Sequence, residues 1–578
     1  MLKIKHIIFS FIFFLLLFYS QIIFCQVYEI GDPLKWRSVE EEGLDQPGAE
    51  QPIPERGIST RNYAAHSVLS SGDWYKISVK ETGIYRLTFQ ELEDMGIDPS
   101  NIDPRNLKLY GNGSGMLEEA NSQPRPDDLI ENAIYVSGEE DGAFNQEDFI
   151  LFYGEGPVVI RYNPFYLQFE HELNFYTDET FYFLTAGPGQ GKRIPDGEPV
   201  AEAATHELYT FQDLAYHEEE KINLIKSGKI WYGEVFNTLT DYNFQFNLEG
   251  IVISEPVILK ANLAARSTTK TIFNVFTEDE FLVELDIPSV LLSSQLYARA
   301  IVSNYEPFYA KDENVDIRIL FEKPGSIDVA WLNYIEMNYV RNLNFTGGQL
   351  VFRDMRFTGA GNILRYHLQS GIHDLKIWEI TDPGSIVNQV FSQEAGGITI
   401  KGRGDILREY IAFDETSYLN AGFVEKVANQ DLHALESADF IIISHPNFLE
   451  QAQRLAEHHR EFDGLSYLIV TPQQIYNEFS SGAQDVSAIR DFMKMLYDRA
   501  DSGEKPRYLL LFGDASYDYK KILSVADQNL VPAYQSREAL KISQSFVSDE
   551  YFVCLDDDEG STGSGTMDIG IGRFPVTT

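Results

Sequence analysis

The sequence predicts a multidomain protein in which two mainly β domains precede an α/β domain with a parallel sheet. Three observations carry that expectation. Short apolar-polar stretches separated by Gly, Asp, Asn and Pro recur from Trp74 to about residue 435. Near Ser437 the pattern switches to continuous apolar runs alternating with helical periodicity. The length, 578 residues, is enough for about three domains at the usual size.

Residues 1–25 read as a secretory signal peptide: Lys3 and Lys5 precede an apolar run from Ile7 to Phe18, and a polar break at Tyr19, Ser20 and Gln21 leads to Cys25. A membrane anchor would need about 20 apolar residues in succession, and this run is interrupted earlier. Ile22, Ile23 and Phe24 lack the small side chains that lipoprotein processing at Cys25 would prefer. Residues 26–60, with Pro33, Pro47, Pro52 and Pro54 among acids and glycines, read as a linker or extended arm.

The N-terminal mainly β domain is expected over residues 61–195. WYKISVKETGIYRL reads as a β-hairpin turning at Gly83 with one buried face. LTFQELEDMGI is a short helix closed by Gly96, and NLKLYGNG, AIYVSGEEDG, DFILFYGEGP and TFYFLTAG follow as strands. Residues 200–435 form a second β domain, a β-sandwich or jelly roll, from strands such as EPVILKANLAAR, NVDIRILFE and DVAWLNYIEMNYVR.

Residues 436–578 begin with ADFIIISH, a strand buried on both faces, followed by a helix whose apolar face carries Phe448, Ala452, Leu455 and Ala456 and which Gly464 ends. LSYLIVT, helices over Pro472–Phe479 and Val486–Arg499, and RYLLLFGD complete a β-α-β-α-β series, the order of an open parallel sheet. Ligands bind such sheets at the carboxyl ends of the strands, which places Ser444, His445, Gly513 and Asp514 on the functional edge.

Charge and cysteine content narrow the chemistry. The chain carries 46 basic and 88 acidic residues, a formal −42, and loss of the leader with Lys3 and Lys5 takes this to −44. Such a surface repels nucleic acid and anionic lipid, and suits Ca²⁺ or a basic partner. Only Cys554 remains beyond the leader, so no internal disulfide forms. Cys554 precedes an acidic run that disfavours its thiolate, which makes it a buried strand residue rather than a nucleophile. His445, before Pro446 at a strand end, is structural, and His458 and His459 lie exposed on a helix without HExxH spacing. The run Asp556, Asp557, Asp558 and Glu559, then GSTGSGT and Asp568, is either a solvated loop or a hard-cation site. It lacks the EF-hand pattern.

RYLLLFGDASYD, the SDEYF segment at Ser548 and DIGIGRFPV resemble, in order and spacing, the first half of the caspase-like catalytic domain of the gingipain-type cysteine peptidases. WYKISVKETGIYRL, NLKLYGNGSG, EDFILFYGEGP and SGKIWYGEVF are similar to the sortase branch of that family, which serves the type IX secretion system. The resemblance implies a cysteine endopeptidase that forms a thiol acyl-enzyme and removes C-terminal targeting domains from secreted cargo. It implies cargo, other type IX components and lipopolysaccharide as partners, and a place at the outer membrane or cell surface. It also implies a structural Ca²⁺ held by Asp514, Asp556, Asp558 and Asp568. The family's catalytic His, in a Gly-His-Gly turn after the IGRFP motif, and its Cys on the next strand have no counterpart before Thr578, so no catalytic residue is assigned and the α/β domain is expected to be the first half of a longer one. A non-catalytic outer-membrane-associated scaffold with a degenerate peptidase domain is the rival reading. A carbohydrate-binding surface protein would rest only on the abundant aromatics, which core stacking explains equally.

Overall fold

The computed structural model describes residues 61–578 apart from 292, 304–305, 373, 395, 524–528 and 564. The leader and the arm expected over residues 1–60 lie outside the described residues, which belong to one compact unit.

Strand β1 (Trp74–Val79) and strand β2 (Gly83–Thr88) enter different sheets, correcting the expected hairpin. β1 lies between strands Thr180–Ala186 and Gly422–Val427, whereas β2 lies between Phe149–Gly154 and Leu419–Asn420. The two sheets face each other over Ile77, Val79, Tyr85, Leu87, Ile150, Phe152, Tyr182 and Leu184. The polar residues of β1 misled the reading because they too are buried: Lys76 is 2% exposed and its ammonium donates to the carbonyl of Gly482 at 2.8 Å. Burial lowers its pKa to about 8, with Glu425 offsetting part of the effect.

Helix α1 (Phe89–Asp94) follows β2 through a capping box. The Glu91 amide donates to Thr88 Oγ1 at 3.4 Å, and the Thr88 amide donates to Glu91 Oε2 at 2.7 Å. Thr88→Ala should cost about 1 kcal/mol, read as a lower urea midpoint at unchanged slope.

Residues 200–435 hold two sandwich cores. In one, the sheet of Thr210–Glu218, Val329–Asn342, Val257–Arg266 and Arg299–Val302 covers the sheet of Asp241–Asn247, Asn314–Glu322, Thr271–Thr277 and Glu280–Ile287, around Leu259, Phe273, Ile319 and Leu332. In the other, Ile363–Ser370 and Gly397–Arg403 pack across Phe352, Tyr366, Ile400 and Tyr410 on Gln349–Arg353 and Glu409–Phe413. A sandwich of ordinary size needs about 100 residues, so this span suffices for two.

A hairpin of Val158–Asn163 with Gln168–Leu173 reaches from the first domain onto the first sandwich. There the Phe169 amide donates to Asn338 Oδ1 at 2.7 Å, and Asn338 Nδ2 returns a bond to the Phe169 carbonyl. His171 bridges Glu336 at 2.7 Å and Glu218 at 2.8 Å. Burial pulls its pKa down, but the two carboxylates outweigh it and hold the imidazole at about 8.

The chain then returns as β3 (Gly422–Val427) to the edge of the first sheet before entering the α/β region. This consists of β4 (Phe440–Ser444), α2 (Leu449–Phe462), β5 (Tyr467–Val470), α3 (Pro472–Phe479), α4 (Val486–Arg499), β6 (Tyr508–Phe512) and β7 (Gly570–Phe574). All four strands are parallel in the order β5-β4-β6-β7. Helix α2 packs Ala452 and Ala456 on one face, while α3 and α4 cover the other through Ile475, Phe479, Ile489, Phe492 and Leu496. Among the described residues no helix is long and apolar enough to cross a membrane.

Candidate functional site

The chain leaves β4 toward β5 on one side and comes back to β6 on the other, so the strand order reverses between β4 and β6. The crevice outside their carboxyl ends is where open α/β sheets bind ligands, and Ser444, His445, Gly513 and Asp514 stand there. The His445 amide donates to the Phe512 carbonyl at 3.0 Å, and His445 Nδ1 accepts from the Asn447 amide at 3.3 Å. That imidazole caps the turn before α2, and burial followed by the nearby charge of Lys521 lowers its pKa. Gly513 has φ +152°, and a Cβ there would stand 3.0 Å from Val531 Cγ2 and 3.1 Å from Leu530 Cβ. Only glycine lets the 530–531 segment pack this closely.

Arg573 of the IGRFP motif ties this edge together. Its guanidinium forks onto Asp549 with bonds of 2.8 and 2.6 Å, and donates to the carbonyls of Gly513 (2.9 Å), Val531 (2.6 Å) and Pro532 (3.1 Å). One side chain therefore fixes three separate segments around the crevice.

The acidic loop lies at the other end of the sheet. The Asp568 amide donates to the Val553 carbonyl at 3.0 Å, two residues before β7 begins at its amino end. Asp514 follows the carboxyl end of β6, so the pairing Tyr508↔Gly570 and Phe512↔Phe574 puts Asp514 and Asp568 at opposite edges. At about 3.3 Å per residue the separation is roughly 20 Å or more, too far to share one cation. The four carboxylates Asp514, Asp556, Asp558 and Asp568 therefore do not form one site: Asp556 and Asp568 gather with Glu559, ligand oxygens within 4.8 Å of one another, while Asp558 is exposed. The Leu555 amide donates to Asp568 at 2.9 Å and the Thr566 amide to Glu559 at 2.6 Å. Burial, joined by the charges of Asp568 and Asp556, raises the Glu559 pKa against its amide bonds.

Cys554 is buried, as expected, but ends a 3₁₀ turn over Glu550–Val553 rather than lying in a strand. Burial and then Glu559 push its thiol up to about 11, and its Sγ donates to the Glu550 carbonyl at 3.3 Å. A thiol so held is no nucleophile at neutral pH. His458 and His459 lie on α2, where His459 Nδ1 pairs with Asp463 at 2.6 Å.

Two anchors of the acidic loop escaped the sequence reading. Asn121 of the first domain donates to the carbonyls of Cys554 (3.0 Å) and Asp556 (2.7 Å), and its amide to that of Glu559 (2.9 Å). Lys494 of α4, 1% exposed, pairs with Asp557 at 2.7 Å and Asp498 at 3.1 Å and donates to the Leu555 carbonyl. A third group, the buried His433 between Glu478 (2.6 Å) and Asp127 (3.3 Å), joins the first domain to α3. Lys494 carried a local signal, a polar residue inside the apolar face of α4, whereas Asn121 and His433 lie in loops that carry none.

Residues 433–578 match the family model described as Peptidase family C25. The chain is similar to the dimeric latent PorU from Porphyromonas gingivalis, with 26% identity and a TM-score of 0.78 over 89% of this chain. The match takes in 49% of that protein, so this chain spans about half its length. Two carbohydrate-binding modules of the CBM36 type also align. One is in complex with calcium and xylotriose (7% identity, TM-score 0.15, 21% of this chain and 98% of that one). The other comes from a xylanase of the hindgut metagenome of Trinervitermes trinervoides (7%, 0.15, 22% and 96%). No curated protein matches. The α/β region is thus the part of the chain that is similar to peptidase family C25.

Proposed function

We propose that this chain, with its peptidase family C25 region and PorU-like fold, is part of a cysteine endopeptidase and sortase of the type IX secretion system. The observation that carries the reading is the parallel β5-β4-β6-β7 sheet whose switch-point crevice is framed by Gly513 and Arg573. On this reading the sheet is the floor of the catalytic domain. On the same reading the nucleophilic thiolate and its imidazole are not among the residues of this chain, which spans about half of the similar structure. They would attack the peptide bond before a cargo's C-terminal targeting domain and pass the acyl group to water or an amine. Exported cargo, other secretion components and lipopolysaccharide at the outer surface are the partners, and the −42 balance disfavours nucleic acid.

Deleting the gene in its host should leave a type IX cargo protein longer by its C-terminal domain, and restoring the complete gene should shorten it. Cargo that matures normally without the gene refutes the peptidase assignment. Unprocessed cargo rescued by a variant lacking the downstream thiol favours the scaffold.

A structural Ca²⁺ is part of this proposal for the acidic loop, where Asp556, Glu559 and Asp568 each offer one carboxylate oxygen and water would complete the six to eight that the cation takes. Bound there, the ion would neutralise three converging charges and fix the loop on α4. At a hundred times its Kd, Ca²⁺ should add about 2.7 kcal/mol of stability. Asp568→Asn should abolish that gain, and an unchanged melting temperature on adding Ca²⁺ to the native chain would reject the site.

A further inference from the structure

A second cluster, remote in sequence from the peptidase-like region, has the chemistry of a different metal. Strand Thr210–Glu218 and the short strand Val235–Phe236 both pair with the long strand Val329–Asn342, His217 opposite Ile335 and Val235 opposite Trp331. This brings His217 and Glu219 beside Glu234, and the three offer ligand atoms within 4.8 Å of one another. His217 Nε2 is 3.1 Å from Glu234 Oε1, and its ring is braced against Phe244 at 5.0 Å. Gly233 allows the approach, since a Cβ there would meet the Glu219 carbonyl oxygen at 3.0 Å and its Cβ at 3.2 Å. Independently, Glu234 Oε2 is buried with no hydrogen-bond partner. The other oxygen of that carboxylate already faces His217 and Lys221, so Oε2 is the atom left for a water or a cation to satisfy. The basic group facing the cluster is Lys221, whose half-exposed ammonium pairs with Glu219 and lies 3.7 Å from Glu234 Oε1.

We propose that His217, Glu219 and Glu234 form a binding site for zinc or a zinc-like transition-metal cation, with Lys221 as the charge that yields to it. Imidazole with carboxylates selects this class over Ca²⁺ or Mg²⁺. Tetrahedral ligand atoms about such an ion lie about 3.4 Å apart, within reach of small side-chain rotations here. Three protein ligands leave a fourth position for water. The alternating residues Glu218 and Glu220 hold His171 of the hairpin at 2.8 Å and Lys520 of the α/β region at 2.6 Å. A metal at 217 and 219 therefore braces the segment through which three parts of the molecule meet. This proposal is independent of the peptidase reading.

The test uses the full chain, stripped with chelator and returned to a Ca²⁺-containing buffer. Co²⁺ is followed by its visible absorption and Zn²⁺ by calorimetry. One equivalent is expected, with binding weakened on the order of 100-fold or more by His217→Ala and unaffected by Asp568→Asn. Lys221→Ala keeps all three ligands and should tighten binding several-fold, so a folding defect in the histidine variant does not decide the matter. Absence of saturable binding, equal affinity in His217→Ala, or weaker binding in Lys221→Ala would overturn the site.

Discussion

Replacing Glu478 with alanine is expected to cost about 3–5 kcal/mol, the range for removing one partner of a buried charge pair. Glu478 and His433 are both fully buried. One Glu478 carboxylate accepts from the amides of Leu432 (2.8 Å) and His433 (3.2 Å), from Gln430 Nε2 (2.8 Å), and from His433 Nδ1 (2.6 Å). Burial works to lower the pKa of His433, but Asp127 and Glu478 outweigh it and raise it to about 10. The folded value lies above the unfolded one, so the stabilisation is complete below about pH 6.5 and disappears as pH rises through about 10. Chemical denaturation of the native chain should show stability falling across that window, and Glu478→Ala should lower the curve and flatten it. A pH-independent difference between the two proteins would mean that His433 is not the titrating partner.

Arg573→Ala should cost a similar amount and loosen the carboxyl edge of the parallel sheet. The guanidinium is 12% exposed and satisfies a carboxylate and three carbonyls. Its removal strands Asp549 and frees the loops at Gly513 and Val531. Arg573→Lys should recover little, since an ammonium cannot reproduce the planar fork. Limited proteolysis should open the 530–549 segment in both variants at conditions that leave the native chain intact. Full protection in the lysine variant would show that charge alone suffices.

The α/β region was legible because each of its signals is local. ADFIIISH and RYLLLFGD each hold a continuous apolar run, as strands buried on both faces must, and Thr471 before Pro472 marks the start of α3 with a capping box that the structure forms. The β domains were legible only as strands. Which strand lies beside which depends on contacts between residues hundreds of positions apart, as where Lys76 reaches the Gly482 carbonyl. The same limit applied to the sites. Asp556 and Asp568 are close in sequence and meet, but Asp514 is carried to the opposite edge by the direction of β6. His217 and Glu234 are joined by a common partner strand that no local pattern marks.

The return of β3 to β1 sets an order of events. During synthesis Trp74 emerges long before Val427, its partner in the first sheet. At roughly 5–20 residues per second the gap is on the order of tens of seconds. A first domain that folded within that interval would carry a vacant edge along β1, open to any other extended chain, and its closure would await nearly the whole of both sandwiches. A chaperone or secretion partner that shields that edge would act on yield rather than on the stability of the finished molecule.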